Sequence, residues 1–370
     1  MTAAGAKLVC YFDSRELWLS RVSRWELAPS AIEELAFLLP TEERVISTFR
    51  EIASFLEPLE ITAQLVEAGD VSGICSVIEE ASVKTILFNM TDGFFPVTAS
   101  YFPGLAAMTG KRYFGNSAAM QLSIQNKFIQ YLMCRRLGIP VPRTALYDGK
   151  RFLAGDDRRN RSQAYFVKPF DLANSIGIFA DAFCESLEKA VVVAERIKRH
   201  YGSKSLIQEY VRGDSVRVNY VAADRRLPVD DALGIHLMRG PEENDDGVFV
   251  DFETHLSLFK NADAAYERMA VATSLTDSAT AERFREAVSG IRQDTKHLVD
   301  CFGLRDFFSM DYKIDDDGER YFIELNTLPF ARNAGLRAYC KEAFQCTVGA
   351  ALGAAINLSL LESGRSEREW

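Results

Sequence analysis

The chain has 370 residues, with 43 lysines and arginines against 52 aspartates and glutamates, so its formal charge is −9 and its isoelectric point lies near 5.2. That balance argues against nucleic acid as a partner, and at roughly 150 residues per domain the length suggests two or three domains. Hydrophobic residues make up 48% of the sequence, enough to bury a core in each domain and to exclude whole-chain disorder.

Lys7–Phe12 reads as a first strand, Ala31–Leu56 as one or two helices, and Thr85–Asn89 (TILFN) as a second short buried strand ending in a polar loop. Strands alternating with helices predict a parallel α/β unit, whose ligand-facing loops lie at the carboxyl ends of the strands, here Asp13–Glu16 and Asn89–Gly93. From Ser117 the pattern is helical, with Lys127 on the helix and a stop at Gly138-Ile139-Pro140. Ala164–Lys168 (AYFVK) and Ser205–Tyr210 (SLIQEY) read as strands around a helix over Glu185–Tyr201, and Arg217–Ala222 as a further strand. Asp224–Asn261 is long, charged and poorly periodic, which reads as a lid loop carrying His236, Arg239, His255 and Lys260 toward phosphate or substrate; a plain exposed loop is the alternative. Ala264–Phe302 reads as helical. Two strands, Phe307–Ile314 and Arg320–Leu325, then flank an Asp315–Gly318 turn as a hairpin, and the tail from Ala338 reads as an apolar helix with a charged end at Glu362–Trp370.

Seven cysteines (Cys10, Cys75, Cys134, Cys184, Cys301, Cys340 and Cys346) are odd in number, scattered and never spaced as C-x-x-C, so neither a disulfide framework nor a zinc site is expected. The N-terminus lacks the apolar core of a signal peptide, and Thr347–Leu361 is too short and too rich in small residues for a membrane span. The expectation is a reduced, cytoplasmic protein with no membrane partner.

The hairpin carries the chemistry. Strand period two puts Glu324 and Asn326 on one face, with Asp311 on the neighbouring strand. Two carboxylates and an amide carbonyl are oxygen ligands suited to Mg²⁺ shared with substrate phosphates, and in the apolar strand YFIELN their burial would be costly without a partner. Lys127 and Lys168 each lie beside apolar sequence, where a lysine either reaches solvent or meets an anion. The loop after Lys168, Pro169–Gly177, has small residues whose N–H groups could approach phosphates, although no P-loop and no G-x-G-x-x-G pattern is present.

The ordered motifs FNMTDG, PGLAAMTGKRYFGNSAAMQLSIQNK, LGIPVP, FVKPFDLANSIGI, LIQEYVRG and MDYKIDDDGERYFIELNTLP, spanning about Leu87 to Pro329, resemble the D-alanine–D-alanine ligase branch of the ATP-grasp superfamily. The resemblance implies an α/β fold with α+β lobes, in which a Rossmann-like unit (1–119) precedes a central ATP-grasp lobe (120–212) and a C-terminal lobe with metal site and lid (213–370). It implies ADP-forming ligation of a small carboxylate to an amine through an acyl phosphate, with ATP and Mg²⁺ as cofactors and Mn²⁺ as an alternative ion. Carried over by position, Lys127 and Lys168 would contact phosphates, and Asp311, Glu324 and Asn326 would hold the magnesium. Gln208, Glu209, Tyr210 and Val211 match the hinge that reads adenine. Ser215 falls at the ribose-binding position, with Asp214 its substitute. Glu16 fits the glutamate that holds the first substrate's ammonium, although Asp13 followed by Glu16 is also a helix capping box. Relatives are often dimers through the N-terminal domain, which leaves a homodimer open.

Departures cluster at the amino-acid pockets. The family's oxyanion arginine, two residues before the first metal aspartate, is Ser309 here, and Arg217 is the candidate replacement, in a stretch resembling the Asp-Ile-Arg motif of glutamate-ligating ATP-grasp enzymes. Asn174 replaces the family's serine in the Lys168 loop, with Ser175 matching its neighbour, so both are candidates for the catalytic loop. Gly335 falls near the serine that binds the acceptor, leaving Arg332 and Asn333 as candidate substrate ligands. The pattern suits a dedicated amide or dipeptide ligase of specialised metabolism, antibiotic biosynthesis included, over D-alanyl-D-alanine synthesis. The rivals are an ATP-binding regulator that has lost catalysis and an ester-forming ligase on the same fold.

Overall fold

The computed structural model describes residues 3–13, 15–23, 27, 29–37, 42–68, 71–82, 84–90, 96–156, 164–172, 175–224, 226, 228–239, 271–275, 281–327 and 334–362. Its first part runs β1 (Lys7–Asp13), α1 (Arg15–Val22), α2 (Pro29–Phe37), α3 (Glu42–Leu56), β2 (Thr62–Ala68), α4 (Val71–Glu79), β3 (Thr85–Asn89), α5 (Pro96–Met108) and β4 (Arg112–Phe114). The four strands pair in parallel in the order β2-β1-β3-β4. Parallel strands between helical layers are buried on both faces, and Leu8 to Phe12 and every residue of β3 are buried accordingly. The register sets Tyr11 opposite Asn89, so the carboxyl ends of β1 and β3 adjoin as expected.

Two short helices follow, α6 (Ala118–Ile124) and α7 (Lys127–Arg136), capped by Ser117 and Asn126, whose side chains accept backbone N–H groups of the first turns. Gly138, at φ +76°, takes the left-handed turn that ends α7. A five-stranded antiparallel sheet is built next, from β5 (Thr144–Tyr147), β6 (Phe152–Gly155), β7 (Tyr165–Pro169), β8 (Phe183–Cys184) and β9 (Ser205–Glu209), in the order β6-β5-β9-β7-β8. The helix α8 (Leu187–Tyr201) packs Ala190, Val193, Ala194 and Ile197 onto it.

A second antiparallel sheet closes the chain, with β10 (Asp214–Val221), β11 (Gly234–Arg239), β12 (Val271–Ser274), β13 (Phe307–Ile314) and β14 (Arg320–Asn326) in the order β12-β11-β10-β13-β14. The helices here are α9 (Ala281–Phe302), α10 (Ala334–Phe344) and α11 (Val348–Leu361). The turn Asp315–Gly318 closes the β13–β14 hairpin, with Gly318 donating to the Asp315 carbonyl and Asp315 Oδ1 accepting from Asp317 and Glu319.

Packing does not follow chain order. Val22, Ala31 and Leu35 from α1 and α2 share the core of α8 and β7, and α11 lies on α3, where Gly349 donates to Glu51 and a Cβ on Gly353 would press on Phe55. No single helix among the described residues is long and apolar enough to cross a membrane, and α10 and α11, which together meet that length, are bent by 63°.

Three expectations need correction. Part of the supposed lid, Gly234–Arg239, is the strand β11, and it escapes the alternation rule because Gly234 to Leu237 are all buried, the glycine under the ring of Tyr339. The helix expected over Ala264–Phe302 starts only at Ala281, since Val271–Ser274 (VATS) is an edge strand too short to show a period. The single tail helix is two helices, the first beginning at Ala334. Residues 240–270 and 363–370, with the expected lid residues His255 and Lys260 and most of the charged tail, lie outside the described residues.

Candidate active site

The site is a row of charges across the C-terminal sheet. Directly paired residues of adjacent strands project to the same face, and the register aligns His236 on β11, Arg217 on β10, Asp311 on β13 and Glu324 on β14. One step along, Gly234, Asn219, Ser309 and Asn326 form a second row. The opposite face is apolar, with Val216, Val218, Met310, Tyr312 and Leu325 buried in the core that includes Phe284, Ile291 and Leu298 of α9. Glu324 and Asn326 therefore point together beside Asp311, as the sequence predicted.

A bulge between Asp311 and Tyr312 leaves Ile323 outside the ladder. Its carbonyl accepts from Lys168 Nζ at 3.4 Å. Lys168 sits near the end of β7, and burial pushes its ammonium down to about 8, with Glu324 and Asp311 pulling up and Lys127 pushing further down. Lys127 opens α7, where its Nζ donates to the Leu172 carbonyl at 2.5 Å and lies 3.3 Å from Glu324 Oε1. Two lysines from the middle of the chain thus meet two carboxylates of the last sheet.

Arg217 is no bare surface arginine. Its Nε and Nη2 donate to the two oxygens of Asp311 at 2.6 and 2.7 Å, with about 30% of each side chain exposed. Oxygen donors of Asp311, Glu324 and Asn326 share one face, the donor chemistry of a hard divalent cation. Among the described residues no group of three or more His, Cys, Asp or Glu is gathered to hold a metal, so the third protein ligand would be the Asn326 amide. Those residues fit Mg²⁺, provided Arg217 and Lys127 yield the carboxylates.

The loop after Lys168 is pinned at its start, where Phe170 accepts from Lys127 N and donates to the Lys204 carbonyl. Ser175 adopts φ +61°, a left-handed conformation rare for a non-glycine residue, which marks strain in this loop. Gly177, at φ +73°, is required, since a Cβ there would come within 2.5 Å of Pro169. Asn174 lies outside the described residues, as do Arg332 and Asn333.

In the segment expected to read adenine, Gln208 is buried and spends its amide on Thr144 Oγ1 at 2.9 Å, while Glu209 N donates to the Arg143 carbonyl at 2.7 Å. Tyr210 donates its N–H to Ala164 and sets its ring edge-on to Phe183; Val211 follows the strand end, half-buried. Ser215 shares the face of Arg217, opposite Lys313. Asp214 does not, because strand alternation turns it away; it lies 3.3 Å from Arg283 of α9, which corrects its candidacy as the ribose ligand. His236 is also corrected: it is wholly buried in β11 with Nε2 3.1 Å from Glu342 on α10. Glu16 is exposed on α1, just past β1.

Two residues that hold the end of β14 were not among the sequence candidates. Gln130 of α7 clamps Leu325, its Oε1 accepting from the N–H and its Nε2 donating to the carbonyl, at 2.8 and 3.1 Å. Gln121 of α6 accepts from Thr327 Oγ1 at 2.7 Å. A glutamine on a helix looks like an ordinary solvated residue, so no sequence signal marked either.

No protein-family model matches the sequence. The chain is 24% identical over 232 residues to a D-alanine–D-alanine ligase of Paraburkholderia phymatum, covering 60% of this chain and 62% of that enzyme's length. It is 25% identical over 255 residues to a D-alanine–D-alanine ligase of Neisseria gonorrhoeae, covering 69% and 73%. The crystal structure of a D-alanine–D-alanine ligase from Bacillus anthracis, complexed with ATP, superposes with a TM-score of 0.64 over 96% of this chain and 98% of that one at 14% identity, which shows a shared fold.

Proposed function

We propose that this chain, which by sequence and fold is an ATP-grasp protein of the D-alanine–D-alanine ligase-like branch, joins a small carboxylate to an amine with conversion of ATP to ADP and phosphate. The observation that carries the reading is the meeting of Lys127 and Lys168 with Asp311 and Glu324, anion-binding groups from one lobe facing cation-binding groups of another. Mg²⁺, held by Asp311, Glu324 and Asn326 and with Mn²⁺ as its substitute, supplies charge neutralisation of the ATP phosphates.

The chain's own residues supply position and charge. Adenine lies along Gln208 to Val211 and the ribose near Ser215, while Lys127 and Lys168 neutralise phosphate oxygens. The loop with Asn174 and Ser175 lays its N–H groups over the transferred phosphoryl group. A carboxylate oxygen attacks the γ-phosphorus, ADP leaves, and the neutral amine then attacks the acyl carbon and releases its extra proton to solvent. Arg217 neutralises the oxyanion of the tetrahedral intermediate, which expels phosphate on re-forming the carbonyl. Glu16, Arg332 and Asn333 are the proposed contacts to the ends of the two organic substrates.

Changed residues at the substrate positions and kept residues at the nucleotide positions favour a specialised amide or dipeptide ligase in a reducing, cytoplasmic setting, where all seven cysteines are free thiols. Ser309 at the position of the family's oxyanion arginine and Phe330 after Asn326-Thr327-Leu328-Pro329 are the sequence departures that favour a non-catalytic regulator. Against it, Arg217 lies on the same face, directly opposite Asp311. The test is phosphate release from Mg·ATP across a matrix of carboxylate and amine pairs, with mass spectrometry of each positive pair. A condensed product supports the ligase; nucleotide binding with no product from any pair supports the regulator.

A further inference from the structure

A metal ion and Arg217 compete for Asp311. The guanidinium occupies both carboxylate oxygens, a divalent cation needs at least one of them, and two cations sharing one carboxylate repel strongly at that range. The site is therefore arranged in a form that Mg²⁺ must rearrange, and Arg217 must move to another set of acceptors.

Two such acceptors lie beside it. Asn219, two residues along β10 on the same face, is wholly buried, and neither atom of its carboxamide has a partner among the described residues. His236, directly opposite Arg217 on β11, is equally buried; its Nε2 faces Glu342 and its Nδ1 has no partner among the described residues. In the tautomer whose Nε2–H donates to the Glu342 carboxylate, Nδ1 is an acceptor. A guanidinium has five donors and no acceptor, which matches Asn219 Oδ1 and His236 Nδ1. Leaving such groups buried and unpaired is unfavourable in itself, and it makes sense if their partner arrives in a second state.

We propose that Arg217 is a two-position cation, forked on Asp311 in the empty site and swung onto Asn219 and His236 when Mg²⁺ and nucleotide take Asp311. Asn219 and His236 are positioning residues that hold the guanidinium over the reacting carboxylate only after Mg·ATP has bound. This inference rests on the ligase reading, because it places a metal–nucleotide at Asp311.

The test titrates the full chain with the non-hydrolysable β,γ-imido analogue of ATP, once with Mg²⁺ and once with EDTA. Arg217→Ala removes the competitor and is expected to tighten binding by about tenfold with Mg²⁺ and leave it unchanged with EDTA. Asn219→Leu removes the second position and is expected to weaken the Mg²⁺ arm by about 3–10-fold, an effect that disappears in the Arg217→Ala background. Asn219→Ala, which leaves space in place of a larger side chain, gives the same sign if the leucine variant misfolds. Unchanged or weaker binding by Arg217→Ala with Mg²⁺, or an Asn219 effect of equal size in both backgrounds, overturns the switch while leaving the ligase reading standing. No binding by the wild type in either arm overturns both.

Discussion

The two faces of the C-terminal sheet are made from the same five strands and do opposite things. One face carries Val216, Val218, Met310, Tyr312 and Leu325, all buried against one continuous core. The other carries Arg217, Asp311 and Glu324 in one row and Asn219, Ser309 and Asn326 in the next. Alternation along a strand lets each be composed independently. The apolar face holds the sheet in register, and that register sets Arg217 within hydrogen-bonding reach of Asp311 and Glu324 directly beside Asp311. The charged face contributes little stability of its own, since its pairs are part-exposed or have lost hydration in equal measure. Among the described residues, buried polar atoms without a partner lie on both faces, the Asn219 carboxamide and His236 Nδ1 on the charged one and the Tyr312 hydroxyl on the apolar one.

If the two faces are separable, a substitution on either one changes one property alone. Asp311→Asn removes a proposed metal ligand, and steady-state assays are expected to show a loss of about 1,000-fold or more in kcat, while the melting temperature moves by no more than a few degrees. On the other face, Met310→Ala leaves a cavity and is expected to cost about 2–5 kcal/mol in denaturant unfolding, with activity per folded molecule kept. An Asp311→Asn protein that melts far lower, or a Met310→Ala protein that folds well but is inactive, would show that the faces are not separable.

Gln130 sharpens the boundary between them, because it grips the backbone of Leu325 between Glu324 and Asn326. Gln130→Leu leaves both Leu325 groups without that partner, and a loss of about tenfold in kcat with about 1–3 kcal/mol of stability is expected in the same pair of assays. The smallest effect is a pH dependence. Lys168 titrates at about 8 in the fold against an ordinary 10.5. Between those values the unfolded chain holds a proton that the folded chain lacks, so this group makes stability rise with pH across that window. The proposed contact of Lys168 with phosphate runs the other way: as the ammonium is lost above about 8, the KM for ATP is expected to climb, and Lys168→Arg, charged throughout, is expected to flatten the climb.

Much of the site was legible in the sequence because hairpins, strand periods and cation-flanked apolar strands leave strong local signals. The turn Asp315–Gly318 with Asp311, Glu324 and Asn326 around it is one such signal, and the two lysines are others. Strand β11 was not legible, since four consecutive buried residues, with a histidine among them, show neither a period of two nor a helical stripe. The direction of Asp214 was not legible either, because neighbouring residues on a strand are told apart only once the register is known. Nor was the fork of Arg217 on Asp311, a contact between positions 94 residues apart in the chain.

In the proposed reaction the carboxylate is activated by phosphorylation at this row of charges. The most direct measurement uses a substrate pair that gives product, with the donor carboxylate labelled with ¹⁸O, and follows the label into inorganic phosphate by mass spectrometry. Transfer of the carboxylate oxygen through an acyl phosphate places one ¹⁸O in each phosphate released and forms ADP. Unlabelled phosphate, or label recovered in AMP, would contradict it.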